Sequence, residues 1–438
     1  RAVGDVAAAF RTGARVVEAE YEWPFQSHAS MGPACAVVQI EDGGKTATVW
    51  TGSQKPHYVR DGVAKILGME QDAVHGVWVP GPGSYGRNDA GDAAAAAALV
   101  AKMTGKPVRM QGMRDEGHAW DPKGPASIHQ CKAALDASGK IVAYSFNSKG
   151  FSRLDVNSNE SDPADCLATQ LAGTDSKSAL AFNVPEEGYA FDHKRTGWEI
   201  IPQFIKNSNP LRSSHLRDPL GPQLQFASEQ FADEMALAAG ADPVEFRLKY
   251  VKPARDLAVI KAAAEKAGWQ RRVGPNGKPG ATGTASGRGM AYAQRNGTRV
   301  AIVAEVEVDR ATGQVWPRKF TVAHDSGLII NPEGLRHTIE GNIVQGSSRA
   351  IFEEVMFERD KVTSVDWVTY PILESMQAPE TVDVVLLNMP SERPTGAGEA
   401  SMRPLAAAIA NAVFDATGIR VRRGPLSPDR IKAALNQA

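Results

Sequence analysis

The fold class is decided by residues 300–315, which read VAIVAEVEVDRATGQV. Every second side chain in the first part of this stretch is apolar: Val300, Ile302, Ala304, Val306 and Val308. Glu305 and Glu307 take alternate positions, and this period of two predicts a strand with one face against a core. The residues from Asp309 to Gly313 tolerate left-handed backbone, so they predict a tight turn and an antiparallel return strand. The stretch therefore predicts a long β-hairpin.

Two further hairpins are predicted where turn residues separate strand-like runs, at 41–44 (EDGG) and 136–139 (DASG). The hairpins around 136–139 and 309–313 resemble each other, which predicts two related halves. Capping and breaker residues predict helices at 89–104, 223–240, 404–417 and from Pro243, Pro332 and Pro428 onward. We predict an α+β protein built from two related α/β subdomains with long antiparallel hairpins and packed helices. The stretch 274–280, rich in glycine and proline, predicts a boundary between domains 1–270 and 285–438.

The composition excludes several classes of protein. The 438 residues are 42% hydrophobic and 23% charged, which predicts a large, soluble, globular chain. Its 49 basic and 50 acidic residues leave a formal charge of -1, so neither nucleic acid nor an anionic membrane is an expected partner. No apolar run is long enough for a transmembrane segment. The three cysteines, Cys35, Cys131 and Cys166, have no metal-binding spacing and leave the compartment open between cytoplasm and periplasm. The chain begins with Arg1, which favours a processed or partial product.

A glycine loop at 81–86 (GPGSYG) matches the pattern GxGxxG between a predicted strand and a predicted helix. Three interpretations are open: a tight turn, a dinucleotide site, or a site for another ligand. Pro82 removes one backbone donor, and Arg87 stands where the helix should begin. Antiparallel hairpins also do not belong to a doubly wound parallel sheet. These features argue against a nicotinamide dehydrogenase.

Four further segments place glycine or proline beside a polar group: 51–54 (TGSQ), 217–223 (RDPLGPQ), 325–346 and 396–399 (GAGE). Together with the glycine loop, they resemble the molybdenum-binding subunit of the molybdenum hydroxylases, the xanthine oxidase and aldehyde oxidoreductase family. Within that family the chain looks most like the isoquinoline-oxidoreductase and nicotinate-dehydrogenase branch. The resemblance covers nearly the whole chain and implies two molybdopterin-binding subdomains.

The resemblance implies roles for individual residues. Gln54 matches a glutamine of the family that reaches an oxo ligand of molybdenum. Arg217 matches an arginine that lines the substrate cavity. Glu399 matches the active-site glutamate, which acts as a general base. Gly398 belongs to the same G-x-G-E motif as Glu399. The residues implied to contact the pterin are Gly83, Ser84, Tyr85, Gly86, Arg87, Gln345 and Gly346. Tyr85 replaces the usual phenylalanine, and no protein ligand to the metal is implied.

The implied activity is hydroxylation of an aldehyde or an N-heteroaromatic ring carbon, with water as the oxygen source and a small-molecule substrate. The implied cofactor is molybdopterin cytosine dinucleotide. Electrons would pass to [2Fe-2S] clusters on an iron–sulfur partner subunit, with cytochrome c as a candidate haem partner. The family's M-G-Q-G signature is absent, so we expect an upstream segment or separate chain to carry it.

Two departures from the family leave alternatives open. Ala400 and Ser401 follow Glu399 in place of the usual proline, and Asp218 makes the arginine loop more polar. These two departures leave the substrate and the activity open. Two alternative functions remain: a nicotinamide-dependent dehydrogenase, which rests on the GxGxxG pattern alone, and a non-catalytic structural subunit of a larger complex, which rests on the missing M-G-Q-G signature. The histidines His28, His57, His118 and His324 are interpreted as structural.

Overall fold

The computed structural model describes residues 1–81, 83–87, 90–183 and 187–437. Its strands are β1 (Ala2–Val3), β2 (Arg15–Trp23), β3 (Cys35–Glu41), β4 (Thr46–Thr51), β5 (Val74–Trp78), β6 (Val108–Gln111), β7 (Ser127–Leu135), β8 (Ile141–Phe151), β9 (Lys194–Ile201), β10 (Thr284–Arg295), β11 (Thr298–Asp309), β12 (Val315–Asp325) and β13 (Thr381–Leu386). Its α-helices are α1 (Val6–Thr12), α2 (Pro56–Leu67), α3 (Ala90–Thr104), α4 (Arg114–Trp120), α5 (Leu167–Leu171), α6 (Gly221–Ala238), α7 (Pro243–Tyr250), α8 (Ala254–Lys266), α9 (Pro332–Ile351), α10 (Leu405–Thr417) and α11 (Pro428–Asn436).

Among the described residues there are three sheets, and two of them share one pattern of pairing. The first has the order β1-β9-β8-β7-β2, and the second has the order β10-β11-β12-β13. In each, two antiparallel pairings (β2–β7 and β7–β8; β10–β11 and β11–β12) lead to one parallel pairing (β8–β9; β12–β13). The predicted α+β class and the two related halves are therefore confirmed.

The third sheet, β5-β4-β3-β6, carries the glycine loop at its edge. Strand β5 pairs parallel with β4, whereas β3 pairs antiparallel with both β4 and β6. A mixed sheet of this kind is not the doubly wound parallel sheet that a dinucleotide fingerprint requires. All three predicted hairpins are present, as β3–β4, β7–β8 and β11–β12.

Strand β11 is buried on both faces over its first half, although its pattern predicts one buried face. Helix α10 lies on the face of Ala304, and α8 lies on the face of Ala301. On that second face, Asp256 of α8 accepts a hydrogen bond of 2.8 Å from Arg299 Nε. The small side chain of Ala301 lets α8 approach this face of β11. Residues 300–304 are therefore all apolar and buried, and apolar and polar residues alternate only from Glu305 onward.

The hairpin between β10 and β11 is a feature that the sequence analysis missed. Its turn is Asn296-Gly297, and both residues have left-handed backbone, with φ of 48° and 88°. Asn-Gly between two strand-like runs is among the strongest short-range signals for a hairpin. The signal was therefore available in the sequence.

The helix starts predicted at Pro243, Pro332 and Pro428 are confirmed. The Asp242 side chain accepts hydrogen bonds from the first turn of α7, and Asn331 does the same for α9. Gly418 ends α10 in the left-handed conformation, with φ of 78°. The start predicted at Asp89 lies outside the described residues, as does Pro82. Helix α6 begins at Gly221, two residues before the predicted start.

The predicted linker lies against the C-terminal end of α10. Gly277 N donates a hydrogen bond of 2.8 Å to Asp415 O. Helix α6 also packs on α10, so elements from before and after the linker share a core. The domain ranges 1–270 and 285–438 stay a prediction.

Within the described ranges, none of the helices is both long and apolar enough to cross a bilayer.

Close packing of α10 on β10 depends on glycine and gives a stability prediction. A Cβ at Gly289 would lie 2.2 Å from Ala412 N and 2.3 Å from Ala408 O. We expect Gly289→Ala to lower the free energy of unfolding by about 1–3 kcal/mol because helix and strand must separate. The matched control is Gly341→Ala on the exposed side of α9, where nothing lies within 4 Å of a Cβ. Helix propensity should make that variant as stable as the parent or more so. Thermal unfolding midpoints compare the two, and equal midpoints would contradict the packing described.

Candidate active site

Four of the five sequence segments meet at one cavity of about 620 Å³. The predicted site residues in its wall are Gln54, Tyr85, Gly86, Arg217, Gly398 and Glu399. Gln54 follows β4, and Tyr85 and Gly86 lie between β5 and α3. Arg217 precedes α6, and Glu399 precedes a short 3-10 turn before α10. The cavity therefore lies where loops from both halves converge.

The glycine loop and the arginine loop are joined through their backbones. Arg217 N donates to Tyr85 O at 2.7 Å, and Arg87 N donates to His215 O at 3.0 Å. Tyr85 has left-handed backbone, with φ of 51°. These hydrogen bonds hold the Tyr85 ring in the cavity wall beside Arg217.

The guanidinium of Arg217 connects two residues predicted from separate motifs, Gly398 and Gln345. Its Nε and Nη2 donate to Gly398 O at 2.9 and 2.5 Å, and its Nη1 donates to Gln345 Oε1 at 2.9 Å. Burial lowers the pKa of Arg217, and the nearby Glu399 carboxylate opposes that shift. The contact with Gly398 O fixes the peptide that precedes Glu399, so Arg217 positions the predicted base as well as lining the cavity.

The buried carboxylate of Asp218 holds two more arginines at the cavity. It is 1% exposed and accepts hydrogen bonds from Arg295 Nε at 2.7 Å and from Arg403 Nε and Nη2 at 2.8 Å each. A Cβ at Gly221 would lie 1.8 Å from Asp218 Oδ2, so the start of α6 must be glycine for this carboxylate to fit. Asp218, which makes the arginine loop more polar than in many relatives, therefore forms a buried ion-pair site.

Glu399 faces the cavity with its carboxylate against Arg295. Its Oε1 contacts Arg295 Nη2, and its side chain is 30% exposed. Arg295, Asn296 and Arg403 line the same cavity and were not predicted. The missed Asn296-Gly297 turn brings the first two of them there, and recognising that turn would have identified them.

Arg87 and Gly346 are both buried, and their contact with the pterin stays a prediction. The Arg87 guanidinium is fully buried beside Glu160 at 3.0 Å and Asp92 at 3.4 Å. Burial opposes its charged form, but Asp92 and Glu160 outweigh burial and raise the pKa of Arg87. A Cβ at Gly346 would lie 2.3 Å from the Leu405 side chain, so this glycine serves the packing of α9 on α10.

Burial keeps the histidines near the loop neutral. The imidazole of His28 has its Nε2 2.7 Å from His215 O and its Nδ1 2.8 Å from Pro122 O. Burial lowers the pKa of His28 to about 4. Burial, together with Arg153 and Lys55, also lowers the pKa of His215 to about 4. His28 therefore supports the loop from inside, and His215 is a neutral part of the cavity wall.

The glycines of the site differ in how much space surrounds the position that a Cβ would take. Gly86 has a φ of 135°, and a Cβ there would lie 2.0 Å from His215 O. Gly83 has a φ of 84°, and its Cβ would lie 3.3 Å from the Tyr85 ring. In contrast, a Cβ at Gly396 or Gly398 would have nothing within 4 Å. The protein's own packing therefore requires Gly86, whereas it leaves open space beside Gly396 and Gly398. Ser84, between the first two glycines, is buried.

This difference predicts opposite effects for two alanine substitutions. Gly86→Ala should lower the free energy of unfolding by about 1–3 kcal/mol, because the new methyl meets a carbonyl at a left-handed position. Gly398→Ala should change it by no more than about 0.5 kcal/mol, as is usual away from packed features. Thermal unfolding of both variants beside the parent measures the difference. A parental midpoint for Gly86→Ala would mean that the loop is not held as described.

Comparisons with known proteins agree with this architecture. Two sequence-family profiles, both described as a molybdopterin cofactor-binding domain, match residues 1–150 and 224–379. The chain is 37% identical to a subunit of the nicotinate dehydrogenase of Pseudomonas putida, over 99% of this chain and 36% of that protein. It is 26% identical to the beta subunit of isoquinoline 1-oxidoreductase of Brevundimonas diminuta, over 95% of this chain and 51% of that protein.

The fold is also found in solved structures. The aldehyde oxidoreductase from Desulfovibrio gigas superposes with a TM-score of 0.72 at 19% identity, over 99% of this chain and 63% of that one. The chain spans about a third of the Pseudomonas relative and about half of the Brevundimonas relative. The two profile matches together cover more than half of the chain; the first contains β2, β7 and all but the last residue of β8, and the second contains β10, β11 and β12. The chain therefore belongs to the xanthine oxidase and aldehyde oxidoreductase family, as part of its molybdopterin-binding subunit.

Proposed function

We propose that this chain is the molybdenum cofactor-binding part of a hydroxylase that oxidises an aldehyde or an N-heteroaromatic ring carbon, with water as the oxygen source. One observation carries the proposal: Gln54, Tyr85, Arg217 and Glu399 come from distant segments and line a single cavity. Each was selected from the sequence by its own motif. Chance convergence of four such residues at one concave site is a poor explanation for this arrangement.

The residues fit a bound molybdopterin. Gly396 and Gly398 leave open space that a side chain would fill, so a ligand can approach the backbone there. Arginines in the cavity wall complement an anionic group. The chemistry supplied by the bound cofactor is two-electron oxidation of a C–H bond with oxygen from water. We propose the cytosine dinucleotide form, as the resemblance implies.

The chain's own residues would position the reactants and move a proton. Glu399 acts as the general base, and because Oε1 is held by Arg295, Oε2 is the oxygen that accepts the proton. Arg217 fixes the peptide of Gly398 and thereby the position of Glu399. Gln54 reaches into the cavity as an amide donor toward the cofactor.

The proposed partners follow from the same function. Electrons leave through [2Fe-2S] clusters on an iron–sulfur subunit, with cytochrome c as a further acceptor. The Pseudomonas and Brevundimonas relatives are both named as subunits of larger enzymes, which supports a multi-subunit assembly. A segment or chain carrying the M-G-Q-G signature completes the pterin site.

Metal and cofactor analysis of the purified assembly containing this chain tests the proposal. We expect close to one molybdenum per copy of the chain, together with a cytosine-type pterin dinucleotide. Quenching of nicotinamide fluorescence without molybdenum would indicate a dehydrogenase of the nicotinamide type instead. If the assembly binds neither molybdenum nor nicotinamide, the chain is a structural subunit.

The base is tested by Glu399→Gln, which keeps the volume and a hydrogen-bonding end but cannot accept the proton. The rate of the reductive half-reaction should fall by about 10²- to 10⁴-fold, with molybdenum content near that of the parent. The control is Glu358→Gln, an exposed carboxylate beside Lys361 that should not affect the rate. A rate within about three-fold of the parent would contradict a general-base role, because the loss of a base costs far more.

A further inference from the structure

The guanidinium of Arg217 lines the cavity, but each of its nitrogens already donates within the protein. Its Nε and Nη2 both donate to Gly398 O, and its Nη1 donates to Gln345 Oε1. To donate to a substrate, Arg217 would have to share or give up one of these contacts. Arg217 therefore holds the wall together, and a substrate needs another donor.

The hydroxyl of Tyr85 lies near Arg217 and is not used by the protein. Tyr85 lines the same cavity and is half-buried. Over residues 1–81, 83–87, 90–183 and 187–437, its hydroxyl has no hydrogen-bond partner and is not sealed from solvent. A phenol hydroxyl both donates and accepts hydrogen bonds. This one is available to a molecule bound in the cavity.

The backbone fixes the phenol ring in place. Tyr85 O accepts a hydrogen bond of 2.7 Å from Arg217 N, and its backbone is left-handed, with φ of 51°. The ring lies over Gly83, where a Cβ would come within 3.3 Å of Tyr85 Cζ and 3.4 Å of its hydroxyl oxygen. A donor held in this way loses little conformational freedom when it binds a ligand.

Arg217 links Tyr85 to the predicted base. Its backbone N contacts Tyr85, and its side chain contacts the peptide that precedes Glu399. Burial lowers the pKa of Arg217, whereas Glu399 and Tyr85 both oppose that shift, so both groups lie within electrostatic reach of the guanidinium. A positive charge beside a phenol stabilises negative charge on its oxygen and strengthens it as a donor.

We propose that the Tyr85 hydroxyl donates a hydrogen bond to the acceptor atom of the substrate, which is the carbonyl oxygen of an aldehyde or the ring nitrogen of a heteroaromatic compound. There it stabilises the negative charge that the reaction builds up. The inference rests on the proposed hydroxylase function and adds a catalytic donor to the base Glu399. A donor aimed at developing charge stabilises the transition state more than the bound substrate. Loss of the hydroxyl should therefore lower the rate more than the affinity.

Binding of two probes to the oxidised, molybdenum-loaded assembly tests the hydrogen bond without turnover. Acetophenone has a carbonyl oxygen but no hydrogen on the carbonyl carbon, so it cannot be oxidised there. α-Methylstyrene has nearly the same shape, with a CH2 group in place of the oxygen. By titration calorimetry, the parent should bind acetophenone about 3- to 10-fold more tightly than α-methylstyrene. Tyr85→Phe, which removes only the hydroxyl, should reduce that preference to less than about two-fold.

A rate measurement separates catalysis from binding. With benzaldehyde or isoquinoline, whichever reduces the parent, the reductive half-reaction of Tyr85→Phe should be at least about 10-fold slower. The control is Tyr58→Phe on α2, which removes the hydroxyl of a side chain that is 47% exposed. That variant should keep the parental rate and the parental preference for acetophenone. If neither compound reduces the parent, the binding comparison decides alone.

The contrary results are separable from failure of the proposed function. An unchanged preference for acetophenone in Tyr85→Phe, or a rate within about three-fold of the parent, would overturn the inference. Failure of Tyr85→Phe to fold or to retain molybdenum would also overturn it, because the hydroxyl would then serve the protein or the cofactor rather than the substrate. Absence of molybdenum from the parent assembly would overturn the proposed function instead.

Discussion

The buried carboxylate of Asp218 joins the two halves of the molecule at the cavity. Asp218 belongs to the loop before α6, whereas Arg295 ends β10 and Arg403 precedes α10. Breaking a buried ion pair by removing one partner typically costs about 3–5 kcal/mol, because a charge is left uncompensated. The Glu399 carboxylate depends on the same arrangement, since Arg295 contacts both acids. One ion-pair network therefore holds the wall of the cavity and the predicted base in a fixed relation.

Left-handed backbone occurs at three residues in the wall of the same cavity. Tyr85, Asp218 and Asn296 all have left-handed backbone, with φ of 51°, 59° and 48°. Such positions are unfavourable for side chains other than glycine, asparagine and aspartate, and they persist where surrounding contacts hold them. The Arg217 N to Tyr85 O hydrogen bond and the Asp218 ion pairs supply those contacts. The loops are thus held in conformations that bring side chains from separate elements to one place.

Local signals in the sequence were sufficient to predict the fold class and individual hairpins and helices. Turn residues predicted three hairpins, and capping residues such as Asp242 and Asn331 predicted helix starts. The site was predicted in part, because motifs identify residue types at loop ends but not their partners. Arg295 and Arg403 lack a motif, and their role depends on a carboxylate far away in sequence. Likewise, no local pattern shows that Gly86 is required by a carbonyl of another loop while Gly398 faces open space.

We propose that loops from the two halves form one molybdenum site, with Glu399 in its wall. Anomalous diffraction at the molybdenum absorption edge, recorded from crystals of the complete assembly, tests it most directly. The account predicts one anomalous peak per copy of this chain, within the cavity bounded by Gln54, Tyr85 and Glu399. A molybdenum peak outside that cavity, or bound entirely by another chain, would contradict the account.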